Sequence, residues 1–154
     1  MKTGIELIAK ERQEQIEKHG WPIHSDRDYG RGQLLQAAEF CLDQARRKQT
    51  GIEVDIQTWP EGWRKHFEGK IRSKSAIQQY IVAGAFYVAE HDRTGDDYSK
   101  ITNQIAAEID RLISVGNYDL CENCDCIIDC KDAIKTTDDV YLCESCYYSL
   151  RRQK

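Results

Sequence analysis

No stretch of the 154-residue chain approaches the roughly 18 consecutive apolar residues that a membrane span needs, so no membrane role is expected. The opening run MKTGIELIAKERQEQIEK is charged throughout and holds no unbroken apolar core, which predicts neither a signal peptide nor an anchor. An excess of positive charge is also missing. With a formal net charge of −4 and a pI near 5.6, the chain has no general attraction for nucleic acid or anionic membrane, and any such binding has to be local. Before residue 116 no run alternates apolar and polar convincingly enough for a strand, and no internal repeat or low-complexity tract is evident. What the chain does have is seven cysteines. Without an export signal, and with two CxxC pairs among them, they point to reduced thiolates on a metal and to a cytoplasmic setting rather than to disulfides.

Periodicity predicts four helices. Thr3-Gly4-Ile5-Glu6 has the pattern of a capping box and starts the first, whose stripe of Ile5, Ile8, Ala9, Arg12 and Ile16 runs to Lys18 and stops at Gly20. GWPIHSDRDYGRG then reads as a loop, and its Trp21, His24, Asp26 and Asp28 suit either ligand contacts or a surface connection pinned by one buried Trp. Gln33 to Arg47 is the second helix, with Leu34, Ala38, Cys41, Leu42 and Ala45 facing the core and Thr50-Gly51 closing it. The segment from Ile52 to Lys74 shows no sustained period and reads as a long excursion, with Trp59, Trp63 and Phe67 scattered among cations. Aromatics among cations suit a phosphate and a base together, or equally a solvated loop.

The third predicted helix, Ser75 to Arg93, organises the rest. Ile77, Tyr80, Ile81, Gly84, Ala85 and Val88 recur at steps of three and four, and a glycine between two alanines inside a helix suggests a very close neighbour. The fourth runs from about Tyr98 to Val115 on Ile101, Ile105, Ile109, Leu112 and Ile113. These elements predict an all-α bundle over residues 1–116, with a boundary at Gly116-Asn117 and a small module over 117–154. Glu39 and Asp43 stand one helical turn apart. Facing Glu90 from an antiparallel neighbour, they supply the hard oxygens that Mg²⁺ prefers, although such acidic pairs are also common on solvated faces.

The module is defined by Cys121-x₂-Cys124, eighteen intervening residues and Cys143-x₂-Cys146, the spacing of a four-thiolate zinc site. The first pair should form a knuckle, a short hairpin should carry Asp138-Asp139 at its turn, and the last pair should open a helix from Glu144 to Arg152. CENC and LCESC resemble a treble-clef or zinc-ribbon finger of the GATA-like kind. Cys126 and Cys130 are left to replace a ligand, pair oxidatively or fill space as small buried residues, the last being preferred. From Tyr118 onward eight Asp or Glu oppose five Lys or Arg, which disfavours nucleic acid as the partner of this module and favours a structural or protein-contact role.

The ordered runs ERQEQIEKHGWPIHSDRDYGRGQLLQAAEF, WPEGW and AGAFYVAEHDR resemble a MazG-like family of small helical proteins, many from bacteriophages and prophages. The likeness covers roughly Ile5 to Arg93. It implies an all-α nucleoside triphosphate pyrophosphohydrolase fold, in which helix carboxylates hold Mg²⁺ while water attacks the α-phosphate and pyrophosphate leaves, in a dimer or tetramer. Glu11, Arg12, Gln15, Trp21, His24, Asp26 and Glu90 match the family pattern, whereas its helix-opening carboxylate falls on Gln33 and a frequent Lys falls on Val82. The candidate catalytic carboxylates are Glu90, which matches the family pattern, Glu39, which lies on the appropriate helix but not at the family's clearest acidic position, and Asp43 one turn from it; the nucleotide contacts that the resemblance implies are Arg12, Gln15, Trp21, His24, Asp26 and the position of Gln33. Because Gln33 removes one negative charge, the alternative is a non-catalytic nucleotide-binding or interaction protein carrying a structural zinc finger.

Overall fold

A computed structural model describes residues 3–18, 32–52, 57–116, 118–121, 124, 127–129, 133–138 and 140–152. Its helices are α1 (Gly4–Lys18), α2 (Gln33–Thr50), α3 (Lys65–Ser73), α4 (Ala76–Thr94), α5 (Ser99–Val115) and α6 (Glu144–Arg151). Four short strands, β1 (Tyr118–Leu120), β2 (Ile127–Asp129), β3 (Ile134–Lys135) and β4 (Tyr141–Leu142), make two antiparallel pairs, β1 with β2 and β3 with β4. The protein is mainly all-α, and it divides into two compact units, Lys2–Asp110 and Arg111–Lys154.

In the first unit α4 is the central element. Buried positions from Ile77 to Glu90 run almost all the way round it, the pattern of a helix enclosed by others rather than laid on a surface. Its start is fixed by a full capping box, the Ser75 hydroxyl accepting from the Gln78 amide while the Gln78 side chain accepts from the Ser75 amide. Its most extensive partner is α2, then α1. The α2 face of Leu34, Ala38, Cys41, Leu42 and Ala45 is buried as its spacing predicts, and Ala37 and Phe40 join it.

Two expectations are corrected. The residues from 65 to 73 are helical, although no period marks them. Phe67 and Ile71 turn inward one helical turn apart, and the last carbonyls of α3 are taken up from outside the helix, Ile71 O by Gln79 Nε2 at 2.8 Å and Arg72 O by Lys48 Nζ at 2.7 Å. Side chains of α4 and α2 thus cap a helix too short to stand alone. The inward face of α1 is also rotated from its apolar stripe. Leu7, Ile8, Arg12 and Gln15 are buried, while Ile5 is 47% exposed and Ala9 is exposed: Ile8 and Arg12 of the expected stripe do face inward, but Leu7 and the polar Gln15 take the place of Ile5 and Ala9. The capping box that starts α1 is present, with Thr3 N donating to Glu6 Oε1 and Glu6 N to Thr3 Oγ1, both at 3.3 Å.

Close approach is carried by two glycines. A Cβ on Gly84 would lie 2.6 Å from Ile8 Cδ1, so the neighbour that requires glycine there is a side chain of α1 and not a helix backbone. Backbone contact occurs instead at Gly4, where a Cβ would strike the carbonyl of Ala106 in α5. The Gly4 amide donates to Asp110 Oδ1 at 2.6 Å, tying the first turn of α1 to α5.

In the second unit the segment holding Cys121 and Cys124 joins β1 to β2, and the β3–β4 hairpin carries Asp138 at its turn; Asp139 lies outside the described residues. Its buried hydrophobic residues among those described are Cys121, Ile127, Ile128 and Leu142, and Cys121, Ile128 and Leu142 form one cluster with Val140 and Tyr147 packed against it.

Candidate metal centre and acidic face

Cys121, Cys124, Cys143 and Cys146 are brought together, their sulfurs all within 4.8 Å of one another. A zinc–sulfur bond of about 2.3 Å gives a tetrahedron whose edges are roughly 3.8 Å, and the Cys124 and Cys143 sulfurs stand 3.9 Å apart. The last pair is set by the start of α6. Cys143 is its N-cap and its sulfur accepts from the Cys146 amide at 3.4 Å. Four clustered thiols with no disulfide among them could hold a metal such as zinc. Cys126 and Cys130 lie outside the described residues. The seventh cysteine, Cys41, has no part in the site: it is buried in α2, burial pushes its thiol pKa well up, and the charge of Glu11 adds to that effect.

The carboxylates of the first unit are arranged differently. Gln57, which the sequence reading did not single out, holds both acids of α2: its side-chain amide donates to Glu39 Oε2 at 3.0 Å and its backbone N–H to Asp43 Oδ2 at 2.9 Å. Glu90, only 3% exposed, is gripped by Arg93, with Nη2 to Oε1 at 2.6 Å and Nε to Oε2 at 3.3 Å. These three acids do not converge as the cysteines do; the four sulfurs are the ligand group of that kind among the described residues. They do act on one pair of rings, Tyr87 and Tyr98, whose centroids lie 5.9 Å apart. Burial, then the charge of Glu39 with a further contribution from Asp43, pushes the Tyr87 pKa up to about 12. Tyr98 is raised by burial, then by Glu90 and Asp96, and also by Glu39. Glu39 of α2 and Glu90 of α4 thus both act on Tyr98, and Asp43 acts on Tyr87.

The remaining expected contacts separate into four groups. Arg12, 6% exposed, donates from Nε to Asp92 Oδ2 at 3.0 Å and so joins α1 to α4. Gln15 is 1% exposed, and neither its amide nitrogen nor its oxygen has a hydrogen-bond partner among the described residues. Gln33 is occupied, its oxygen accepting from Trp63 Nε1 at 3.3 Å and its nitrogen donating to the Glu61 carbonyl at 3.4 Å. Trp21, His24 and Asp26 lie outside the described residues.

The segment around Gln57 and Trp63 is bound along α2 by these contacts and by Gln36 Nε2 donating to the Thr58 carbonyl at 2.9 Å. Trp59, buried against Phe40 and Phe86, anchors it to the core. Fold and site together define an all-α protein with a four-thiolate centre able to hold a metal. Comparison with family models, curated proteins and solved structures gives no match.

Proposed function

We propose that the helical unit is a nucleoside triphosphate pyrophosphohydrolase dependent on Mg²⁺, and that the cysteine cluster is a structural zinc site. The observation that carries the catalytic reading is the acidic face just described, where Glu39 and Asp43 of α2 and Glu90 of α4 all act on the Tyr87–Tyr98 pair. The donor set consists of hard carboxylate oxygens, which fits Mg²⁺ by chemistry. The three do not converge on one point in this structure, so Glu39, Asp43 and Glu90 would hold the ion together with the phosphate oxygens of a bound nucleotide, and when bound it would neutralise phosphate charge and activate water.

The chain's own residues account for the rest. Arg93 orients the Glu90 carboxylate, and Gln57 holds Glu39 and Asp43 on one side of α2. The unpartnered amide of Gln15 offers donors and an acceptor to a polar ligand edge, which relieves the cost of burying them unsatisfied. The resemblance to MazG-like proteins supports the same reading and implies a dimer or tetramer.

A second reading, nucleotide binding without turnover, is favoured by Gln33. It brings no charge where the family pattern has a carboxylate, and both ends of its amide are engaged. The two readings separate in one assay of pyrophosphate release from ribo- and deoxyribonucleoside triphosphates. Activity should require Mg²⁺ or Mn²⁺ and fall at least a hundredfold, about 2.7 kcal/mol of barrier, in Glu90→Gln. Gln33→Glu should raise a weak wild-type rate if the missing charge limits it. Inert wild type and inert Gln33→Glu on every substrate would remove the enzyme reading and leave binding.

A further inference from the structure

In a chain of net charge −4, eight of the 22 Lys and Arg residues fall in two short stretches, 46–48 at the end of α2 and 64–74 across α3, against a single acid, Glu68. The fold joins these stretches. Lys48 Nζ donates to the carbonyls of Arg72 and Lys74, and the Arg72 guanidinium lies 5.2 Å from the centre of the Phe40 ring of α2. The last turn of α2 and the whole of α3 thus form one basic ridge.

The ridge faces solvent. With Ile71 buried and Phe67 half-buried, Arg64, Lys65, His66, Lys70 and Arg72 are all exposed. Glu68 is committed to Arg72, Nη2 to Oε1 at 3.0 Å. Arg64, Lys65 and Lys70 have no ion-pair partner among the described residues, so the fold gains nothing from their charges and carries their mutual repulsion. Local stability does not call for them.

We propose that this ridge binds the phosphate backbone of a nucleic acid. Seven residues of helix place Lys65 and Arg72 about 10 Å apart along the axis, the rise of roughly three nucleotides stacked at about 3.4 Å. Three features favour a polyphosphate chain over a single anion: the charge is spread along an element, continues onto the end of α2 through Lys48, and includes the exposed Arg64, a side chain able to engage phosphate oxygens bidentately. His66 stands among these cations with its ring exposed, tilted at 59° to that of Phe67 with centroids 5.6 Å apart, and an exposed ring here can also meet a base face. Contacts of this kind position a strand without reading its sequence. The negative module of residues 118–154 has no part in this, and the overall charge confines binding to the ridge.

Fluorescence anisotropy with labelled 20-nucleotide DNA and RNA, single-stranded and duplex, tests the proposal on the full-length protein at about 50 mM salt, where phosphate contacts are strong. At least one strand form should bind, with log affinity falling linearly in log salt. Arg64→Ala/Lys65→Ala/Lys70→Ala should weaken it tenfold or more and flatten the salt slope by about two to three units. Its melting temperature should be unchanged, since none of the three makes a contact that holds the fold. Arg151→Ala/Arg152→Ala should bind as wild type. Absence of binding to every probe, equal binding by the triple variant, or tighter binding of labelled polyglutamate than of any nucleic acid would overturn the proposal, the last by making the ridge a dock for acidic protein.

Discussion

A chelator strong enough to strip the cysteine cluster will unfold residues 118–152 while the helices of the first unit keep their cooperative transition. The buried core of the second unit among the described residues is Cys121, Ile127, Ile128 and Leu142, and the first of these is itself a candidate ligand. Three aliphatic side chains are few against the conformational entropy of some 35 ordered residues. A bound zinc, which contributes on the order of 10–16 kcal/mol in small fingers, is therefore what the fold of this module depends on. Cys143→Ser isolates the metal. Serine is itself a good N-cap, so the hydrogen bond to the Cys146 amide can survive while the thiolate is lost. The variant should lose its zinc by metal analysis and be cleaved by trypsin at Arg151 and Arg152. Full zinc content and full protease resistance in Cys143→Ser would rule out the four-thiolate site.

Adding one methyl group at Gly4 should cost more than adding it at Gly84. At Gly4 the new carbon meets the backbone oxygen and carbon of Ala106, which move only if α1 and α5 separate, and separation also strains the 2.6 Å hydrogen bond to Asp110. At Gly84 it meets the Ile8 side chain, whose terminal carbon can rotate but whose Cγ1 at 2.8 Å and Cγ2 at 3.2 Å leave little room. Overpacking of this kind typically costs about 1–3 kcal/mol, and Gly4→Ala should stand at or above the top of that range. For a unit of this size each kcal/mol lowers the melting temperature by roughly 4 °C. Thermal unfolding should therefore fall by about 10 °C or more in Gly4→Ala and by about half as much in Gly84→Ala. Equal, negligible shifts would mean that neither crossing is as tight as described.

Sequence patterns revealed α2, α4 and α5 because their apolar residues recur over four or more turns, and they revealed the cysteine cluster because its spacing admits few other meanings. α3 was hidden for a physical reason. Nine residues with one glycine and two inward apolar side chains carry no readable period, and the Gln79 and Lys48 caps that hold its end come from 8 and 24 residues away from the carbonyls they bind. The inward face of α1 was legible in part: Ile8 and Arg12 are buried as their spacing predicts, but Leu7 and Gln15 are buried where Ile5 and Ala9 were expected. Such polar burial is set by tertiary partners, Asp92 in the case of Arg12. The role of Gln57 was equally out of reach, since it depends on where a loop of no period lies down on α2. The Ser-x-x-Gln of Ser75 and Gln78 was legible, being the same cap signature as Thr3 and Glu6.

The central claim is that the acids of α2 and α4 form a nucleotide site dependent on a divalent cation, and both functional readings rest on it. Calorimetric titration of a non-hydrolysable nucleoside triphosphate into the protein, with and without Mg²⁺, tests it most directly. Binding should appear only with Mg²⁺ and weaken at least tenfold, about 1.4 kcal/mol, in Glu90→Gln. No heat of binding for any base with Mg²⁺ present, or unchanged affinity in Glu90→Gln, would contradict the claim.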